Sequence, residues 1–268
     1  MSNTAEEKIQ KISAAESDRV SLVQITDCHI FAEADNCLQG VHTRHSFEAV
    51  SEAVIANSGH LDLLLATGDL SQDGSTESYD YLAQRVDAMG IATFWLPGNH
   101  DDIETLRERF VGQKIHSAKQ VLIADWQIVL LDSTIRGEVH GRVCETQLEF
   151  LHDCLRDHPE KHALVCLHHQ ALDTGSFWID QKGLHDSAKF RENIDRHDNV
   201  RGVLWGHVHQ ETQQSIGGVE WMSTPSSCIQ FKPYSREFAI GTETPGYRQL
   251  ELYADGRITT RVHRVESF

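Results

Sequence analysis

The sequence predicts a mixed α/β domain, and three observations predict it. Short apolar runs of strand length alternate with helical stripes through the first two-thirds of the chain. The last third changes to a succession of strands joined by Gly217-Gly218 and Asp255-Gly256, both hairpin signals, so it should be mostly antiparallel. No internal repeat, low-complexity tract or Pro/Ser-rich linker divides the 268 residues. A single domain over residues 20–268 is expected, behind a mobile polar N-terminal arm over 1–19 with at most a turn or two of helix.

Each element has its own signal. Residues 20–26 read as a strand that ends in Asp27-Cys28-His29. Phe47, Val50, Val54 and Ile55 recur at helical spacing until Gly59 ends the pattern. Residues 61–67 are a buried strand ending in Gly68-Asp69. Tyr79, Leu82, Val86 and Met89 form the stripe of a second helix, closed by Gly90. Residues 91–95 are a strand that delivers Leu96-Pro97-Gly98-Asn99-His100-Asp101, where Pro97 and Gly98 stop the strand and bend the backbone. Ile103, Leu106 and Phe110 mark a further short helix. Residues 126–131 form another strand, and Thr146 with Glu149 reads as a capping box for the helix carrying Leu148, Leu151 and Leu155. Residues 163–167 end in His168-His169. Residues 200–205, interrupted by Gly202, end in Gly206-His207-Val208-His209.

Composition excludes several classes of function. Lys and Arg number 24 against 40 Asp and Glu, a net charge of −16, which disfavours nucleic acid or an anionic membrane as a partner. A small anionic substrate remains compatible where a metal ion reverses the local field. Cys28, Cys37, Cys144, Cys154, Cys166 and Cys228 are scattered without a CxxC pair, as expected of reduced thiols in a cytoplasmic protein. The N-terminus lacks a basic start followed by an apolar core, and no apolar run approaches the ~20 residues that span a bilayer. Oligomeric state is not legible.

Five separate strands thus end in Asp27/His29, Asp69, Asn99/His100, His168/His169 and His207/His209. Ligand sites in α/β sheets gather at the carboxyl ends of strands, so these groups can converge although they are spread from Asp27 to His209. Carboxylates, imidazoles and an amide suit borderline or hard ions such as Mn, Fe, Zn or Ni, and do not suit a Cys-rich structural zinc. The donors are too many for one ion. Two ions about 3.5–4 Å apart, sharing one carboxylate, would use them all.

Asp27-x-His29, Gly68-Asp69, Gly98-Asn99-His100-Asp101, His168 and Gly206-His207-x-His209, in this order, resemble the signature of the calcineurin-like metallophosphoesterases. Gln24-Ile25-Thr26-Asp27, the stretch from Ala66 to Asp73, Trp178-Ile179-Asp180-Gln181, the stretch from Pro225 to Pro233 and Pro245-Gly246-Tyr247-Arg248 further resemble the bacterial class III 3′,5′-cyclic AMP phosphodiesterases of the CpdA type. The resemblance implies a four-layer α/β/β/α sandwich, with two mixed sheets face to face and helices outside. It also implies two divalent or trivalent ions, Fe and/or Mn, with Zn, Ni or Co as alternatives. Asp27, His29 and His209 would hold the first ion and Asn99, His168 and His207 the second, with Asp69 bridging.

The implied reaction is hydrolysis of 3′,5′-cyclic AMP to 5′-AMP by a metal-bridging hydroxide attacking phosphorus. His100 is the candidate donor to the leaving oxygen, and His29, Asp69, Asn99, His100 and His209 should border the phosphate. Rival readings are another phosphodiesterase, pyrophosphohydrolase or nuclease of the same fold, and a scaffold that has lost its metals. The scaffold should show eroded ligands, and none of the seven is eroded. Two features depart from the family or fill a variable place in it. Cys28, between Asp27 and His29, reads as a small buried residue. Gln170-Ala171 stands where the family usually has prolines, which bears on the loop over the second metal. Trp178, Phe177 and Phe231 are aromatic groups for the base or for packing.

Overall fold

The apolar runs become strands and the helical stripes become the helices that cover them. The computed structural model describes residues 9–266. In chain order its elements begin with β1 (Ile9–Ile12), β2 (Arg19–Ile25), β3 (Cys37–Leu38), β4 (Val41–His42), α1 (Thr43–Asn57), β5 (Leu63–Thr67), α2 (Thr76–Ala88) and β6 (Thr93–Leu96). They continue with α3 (Ile103–Arg109), β7 (Ile115–His116), β8 (Gln120–Ile123), β9 (Trp126–Leu130), α4 (Glu145–Asp157), β10 (His162–Cys166), α5 (Phe177–Asp180) and α6 (Ser187–Asp195). The last are β11 (Val200–Trp205), β12 (Thr212–Ile216), β13 (Val219–Ser223), β14 (Gly246–Tyr253) and β15 (Ile258–Arg264).

One sheet has the order β1-β8-β9-β10-β11-β13-β12 and the other β15-β14-β2-β5-β6-β7. Alternation along single strands separates the cores. In β2, Val20 and Leu22 face the core between the sheets, whereas Val23 and Ile25 face α1 and α2. In β10, Leu164 and Cys166 enter the inter-sheet core, whereas Ala163 and Val165 pack on α4 and α6. Two sheets face to face with helices outside form the expected four-layer sandwich. It also explains why β5 and β10 read as nearly unbroken apolar runs, since both faces of each are covered.

Beneath one end of the sandwich a polar seam ties the sheets together. Gln24 Nε2 of β2 donates to Thr67 Oγ1 at 2.6 Å and, across the sheets, to the Trp205 carbonyl at 3.2 Å. The Arg248 guanidinium, 1% exposed, donates to Thr224 Oγ1 (3.2 Å), Thr260 Oγ1 (3.0 Å) and the carbonyls of Thr212 (3.3 Å) and Ser223 (2.6 Å). Burial draws its pKa down to about 10, so it stays charged at neutral pH.

Two expectations need correction. Residues 1–8 of the supposed arm lie outside the described residues, but Ile9–Ile12 form β1, parallel to β8. No residue of this strand is fully buried, but Ile12 packs against the inter-sheet core and the backbone pairing covers the outer edge of β8. The capping box also does not form. Helix α4 starts at Glu145 behind Cys144, whose carbonyl accepts from Gln147 and Leu148, so Thr146 lies inside the first turn. That phase buries Leu148, Leu151, Cys154 and Leu155 together.

Replacing Arg248 with Met should lower stability by about 2–4 kcal/mol, because buried carbonyls and hydroxyls lose their donor. Urea unfolding checks this. A midpoint equal to that of the unsubstituted protein would show that the seam does not hold the sheets.

Candidate metal centre

Strands β2, β5 and β6 are parallel to one another in one sheet, as are β10 and β11 in the other, so their carboxyl ends reach a common rim. Asp27, Asp69, His168 and His207 follow at the same offset after Ile25, Thr67, Cys166 and Trp205. Of the eight non-glycine residues with positive φ among those described, five are Asp27 (54°), His29 (49°), Asp69 (48°), His207 (64°) and His209 (48°). Such residues each cost about 1 kcal/mol or more, a strain that clusters at functional sites. Here it turns successive side chains into one cavity. The loops cross so closely that a Cβ on Gly98 would lie 2.2 Å from Asp69 Oδ1, and one on Gly206 2.7 Å from Asp27 Oδ2.

The donors converge as two groups joined by a carboxylate. Asp27, His29 and His209 bring ligand atoms within 4.8 Å of one another, and so do Asp27, Asp69 and His168. His29 Nε2 lies 3.1 Å from His209 Nε2, which is 3.2 Å from Asp27 Oδ1. Asp69 Oδ2 stands 3.9 Å from His29 Nε2 and 3.4 Å from His168 Nε2, facing both groups. Its other oxygen accepts the His100 backbone N–H at 2.9 Å.

For three of the four histidine ligands the far side of the ring fixes what the near side offers, whereas His29 Nδ1 is buried without a partner. His168 Nδ1 donates to the Thr67 carbonyl (2.9 Å) and His209 Nδ1 to the Ile229 carbonyl (2.8 Å), which leaves both Nε2 lone pairs pointing inward. His207 is reversed. Its Nε2 donates to the Lys182 carbonyl (3.1 Å), so Nδ1 is the free donor atom. His168 Nε2 and Asn99 Oδ1 are buried without a hydrogen-bond partner, as expected of atoms that hold a cation. His169 lies against His168 and His207 but has both nitrogens engaged, by Ser133 Oγ (2.8 Å) and the Val139 carbonyl (3.1 Å), and so supports the site without ligating.

Electrostatics agree with this division. Burial pushes His29 and His169 down to about 3, with neighbouring imidazoles adding to the effect, and holds His207 well below its ordinary value. For His168 burial acts in the same direction, but Asp69 and Asp27 overcome it and raise its pKa to about 9. Burial opposes ionisation of Asp27 and Asp69, yet the imidazoles keep both below the usual carboxylate range.

All seven expected ligands therefore meet at one rim. Asn99 is half-buried and His100 exposed at the mouth, where Gln72 Nε2 bonds His100 Nδ1 at 3.1 Å. Cys28 is buried in the core and its thiol pKa is pushed up by burial, as its reading as a packing residue requires. The loop with Gln170-Ala171 is pinned by one side-chain and one backbone bond: Gln170 Nε2 donates to the Ile179 carbonyl (2.8 Å), and the Gln170 backbone carbonyl accepts from the Leu184 N–H (3.0 Å). Trp178 and Phe231 line the cavity, while Phe177 points outward, 58% exposed. Sequence reasoning had no signal for the carbonyls of Thr67, Lys182 and Ile229, because backbone acceptors carry no residue identity.

A family model for calcineurin-like phosphoesterases matches residues 20–211. The 3′,5′-cyclic adenosine monophosphate phosphodiesterase CpdA of Vibrio vulnificus is 45% identical over 92% of this chain and 91% of its own. The protein of the same name from Escherichia coli K12 is 41% identical over 97% and 94%. Among solved structures, a dimetal phosphatase from Danio rerio superposes with a TM-score of 0.67 at 16% identity, covering 93% of this chain and all (100%) of that one.

Metal removal should expose the coupling between His168 and the carboxylates. Because its folded pKa of about 9 lies above the ordinary 6.5, its contribution to stability is complete below 6.5 and is lost as pH rises through 9. His29, His169 and His207, all depressed, act only below 6.5. The melting temperature of the chelator-treated protein should therefore fall between those limits, and His168→Asn should flatten the decline. An unchanged slope in the variant would refute the assignment.

Proposed function

The chain belongs to the calcineurin-like phosphoesterase family, and from that premise we infer that it is a hydrolase that converts 3′,5′-cyclic AMP to 5′-AMP at a dinuclear metal site. The observation that carries the reading is Asp69 Oδ2, a buried carboxylate oxygen that faces imidazole nitrogens of both donor groups. Asp27, His29 and His209 are assigned to one ion and Asn99, His168 and His207 to the other, with Asp69 shared. The family likeness points to Fe and/or Mn, and nitrogen and oxygen donors without thiolate also accept Zn, Ni or Co. When bound, the ions activate water at neutral pH and neutralise charge on the phosphate.

The chain's own groups then position the ester. His29, Asp69, Asn99, His100 and His209 border the cavity where the phosphate is to sit. Gln72 fixes the His100 ring through Nδ1, which leaves Nε2 as the atom that passes a proton to the departing 3′ oxygen. Water supplies the oxygen that joins phosphorus, the bond from phosphorus to the 3′ oxygen breaks, and the 5′ ester remains. Phosphoryl transfer needs positioning and charge stabilisation above all, which a rigid rim of strand ends provides.

Among the described residues no helix is long and apolar enough to cross a membrane. All six cysteines are free, which supports placement in the reducing cytoplasm. The whole of residues 20–268 is read as one catalytic domain, since both sheets contribute ligands.

Asp69→Ala should lose both ions, because the shared carboxylate serves each. Elemental analysis checks this, and either a single tightly held ion in the unsubstituted protein or two in the variant contradicts the assignment.

His100→Ala should keep its metals while turnover of cyclic AMP falls by roughly 10²–10⁴. With a nitrophenyl ester, whose leaving group needs no proton, the loss should be much smaller. Equal losses on good and poor leaving groups would remove His100 from the role of acid.

A further inference from the structure

The cavity at the rim, about 210 Å³, does not end at the ligands but continues along Val139, Trp178, Lys182, Phe231 and Phe238. Among these the rings are ordered by one another. Phe231 lies flat on His209, with centroids 4.0 Å apart and planes 7° from parallel. Trp178 meets it edge-on at 4.8 Å, and Phe238 meets Trp178 edge-on at 5.1 Å. We propose that Phe238, braced edge-on by Trp178, forms the platform on which the purine of the cyclic nucleotide stacks. This rests on the phosphodiesterase reading above.

Two observations support the platform. Phe238 is 50% exposed although it lines the cavity, so an apolar ring face is open beside a polar centre. The segment carrying Phe238 is held in place. Phe231 pairs with Ile240 as a β-bridge, and the Lys232 N–H donates to the Ala239 carbonyl at 2.8 Å. The platform is thus preorganised, and the loop need not be ordered on binding.

The order of the rings also fixes direction. His209 borders the ester, Phe231 covers His209, and Phe238 lies one ring contact further, 5.7 Å from Phe231. A base on Phe238 is a sugar's reach from the phosphate. Stacking on an aromatic ring tolerates any base but favours the larger surface of a purine. Lys182 lines the same cavity as its cation, and the carbonyl of that residue anchors His207.

The test compares the metal-loaded full chain with Phe238→Ala, Phe238→Tyr and Trp178→Phe. Two substrates are used, 3′,5′-cyclic AMP and the base-free analogue 1-deoxyribose 3′,5′-cyclic phosphate. Phe238→Ala should raise KM for cyclic AMP about ten-fold while leaving kcat nearly unchanged. The same variant should not alter kinetics on the base-free analogue, and Phe238→Tyr should restore KM. Trp178→Phe, which keeps a ring against Phe238, should leave KM for cyclic AMP nearly unaltered. Equal effects on the two substrates overturn the platform, as does an unaltered KM in Phe238→Ala, the result expected if the exposed ring packs against another protein. If the unsubstituted enzyme cleaves cyclic AMP and the base-free analogue equally well, the platform falls and the phosphodiesterase reading stands. If it cleaves neither, both fall.

Discussion

Two carboxylates buried together, Asp27 and Asp69, set the terms for the rest of the molecule. Each is desolvated, and Asp69 raises the pKa of Asp27, so the pair would be untenable if left to itself. Their partners are imidazoles, His168 and His209 for Asp27 and His29 and His168 for Asp69. Those rings have their outer nitrogens committed where it matters: His168 and His209 donate to backbone carbonyls, which directs the inner lone pairs at the carboxylates. Lone pairs facing anions repel unless a cation lies between them. Without metal the protein answers by holding a proton on His168, and with metal it has a complete set of donors in place.

That demand reaches into the fold. The donors come from both sheets, so any slip of one sheet over the other would pull the two groups apart. Directly below the ligands the sheets are joined by directional bonds from Gln24 and Arg248, where apolar packing alone would allow sliding. Asp101 plays the same part between loops, its carboxylate accepting from Gly98 (2.9 Å), Ser71 (3.0 Å) and the Tyr79 hydroxyl (3.0 Å). The strained left-handed residues persist because these bonds over-determine their positions.

What was legible in the sequence was whatever residue type alone decides. Apolar runs covered on both faces marked β5, β10 and β11, and the polar residues that follow them stood out as chemistry. The helix stripe from Tyr79 to Met89 was equally plain, since burial in α2 follows the helical period. Elements set by pairing were not legible. The β8–β9 hairpin turns at Ala124, which adopts φ of 44° without the usual glycine or asparagine, and β1 has no fully buried residue, only Ile12 leaning on the core. Within the site the ligand residues were readable, but the nitrogen each histidine offers was not. His207 and His209 stand two apart in sequence and present opposite ring nitrogens, because one finds the Lys182 carbonyl and the other that of Ile229.

The surface charge and the cavity then divide the work of recognition between two kinds of force. A net charge of −16 works against approach of any phosphate, so attraction must come from the dinuclear centre itself and is confined to short range by screening. Beyond that range the cavity offers aromatic rings, one cation at Lys182 and little else. A long polyanion would meet the repulsive surface with every further phosphate, whereas a small ester with one negative charge meets it once. By charge alone, a metal centre favours phosphate and the net negative charge disfavours a long polyanion. Uncharged contacts at the aromatic rim act by dispersion, which does not depend on the sign of the surrounding field.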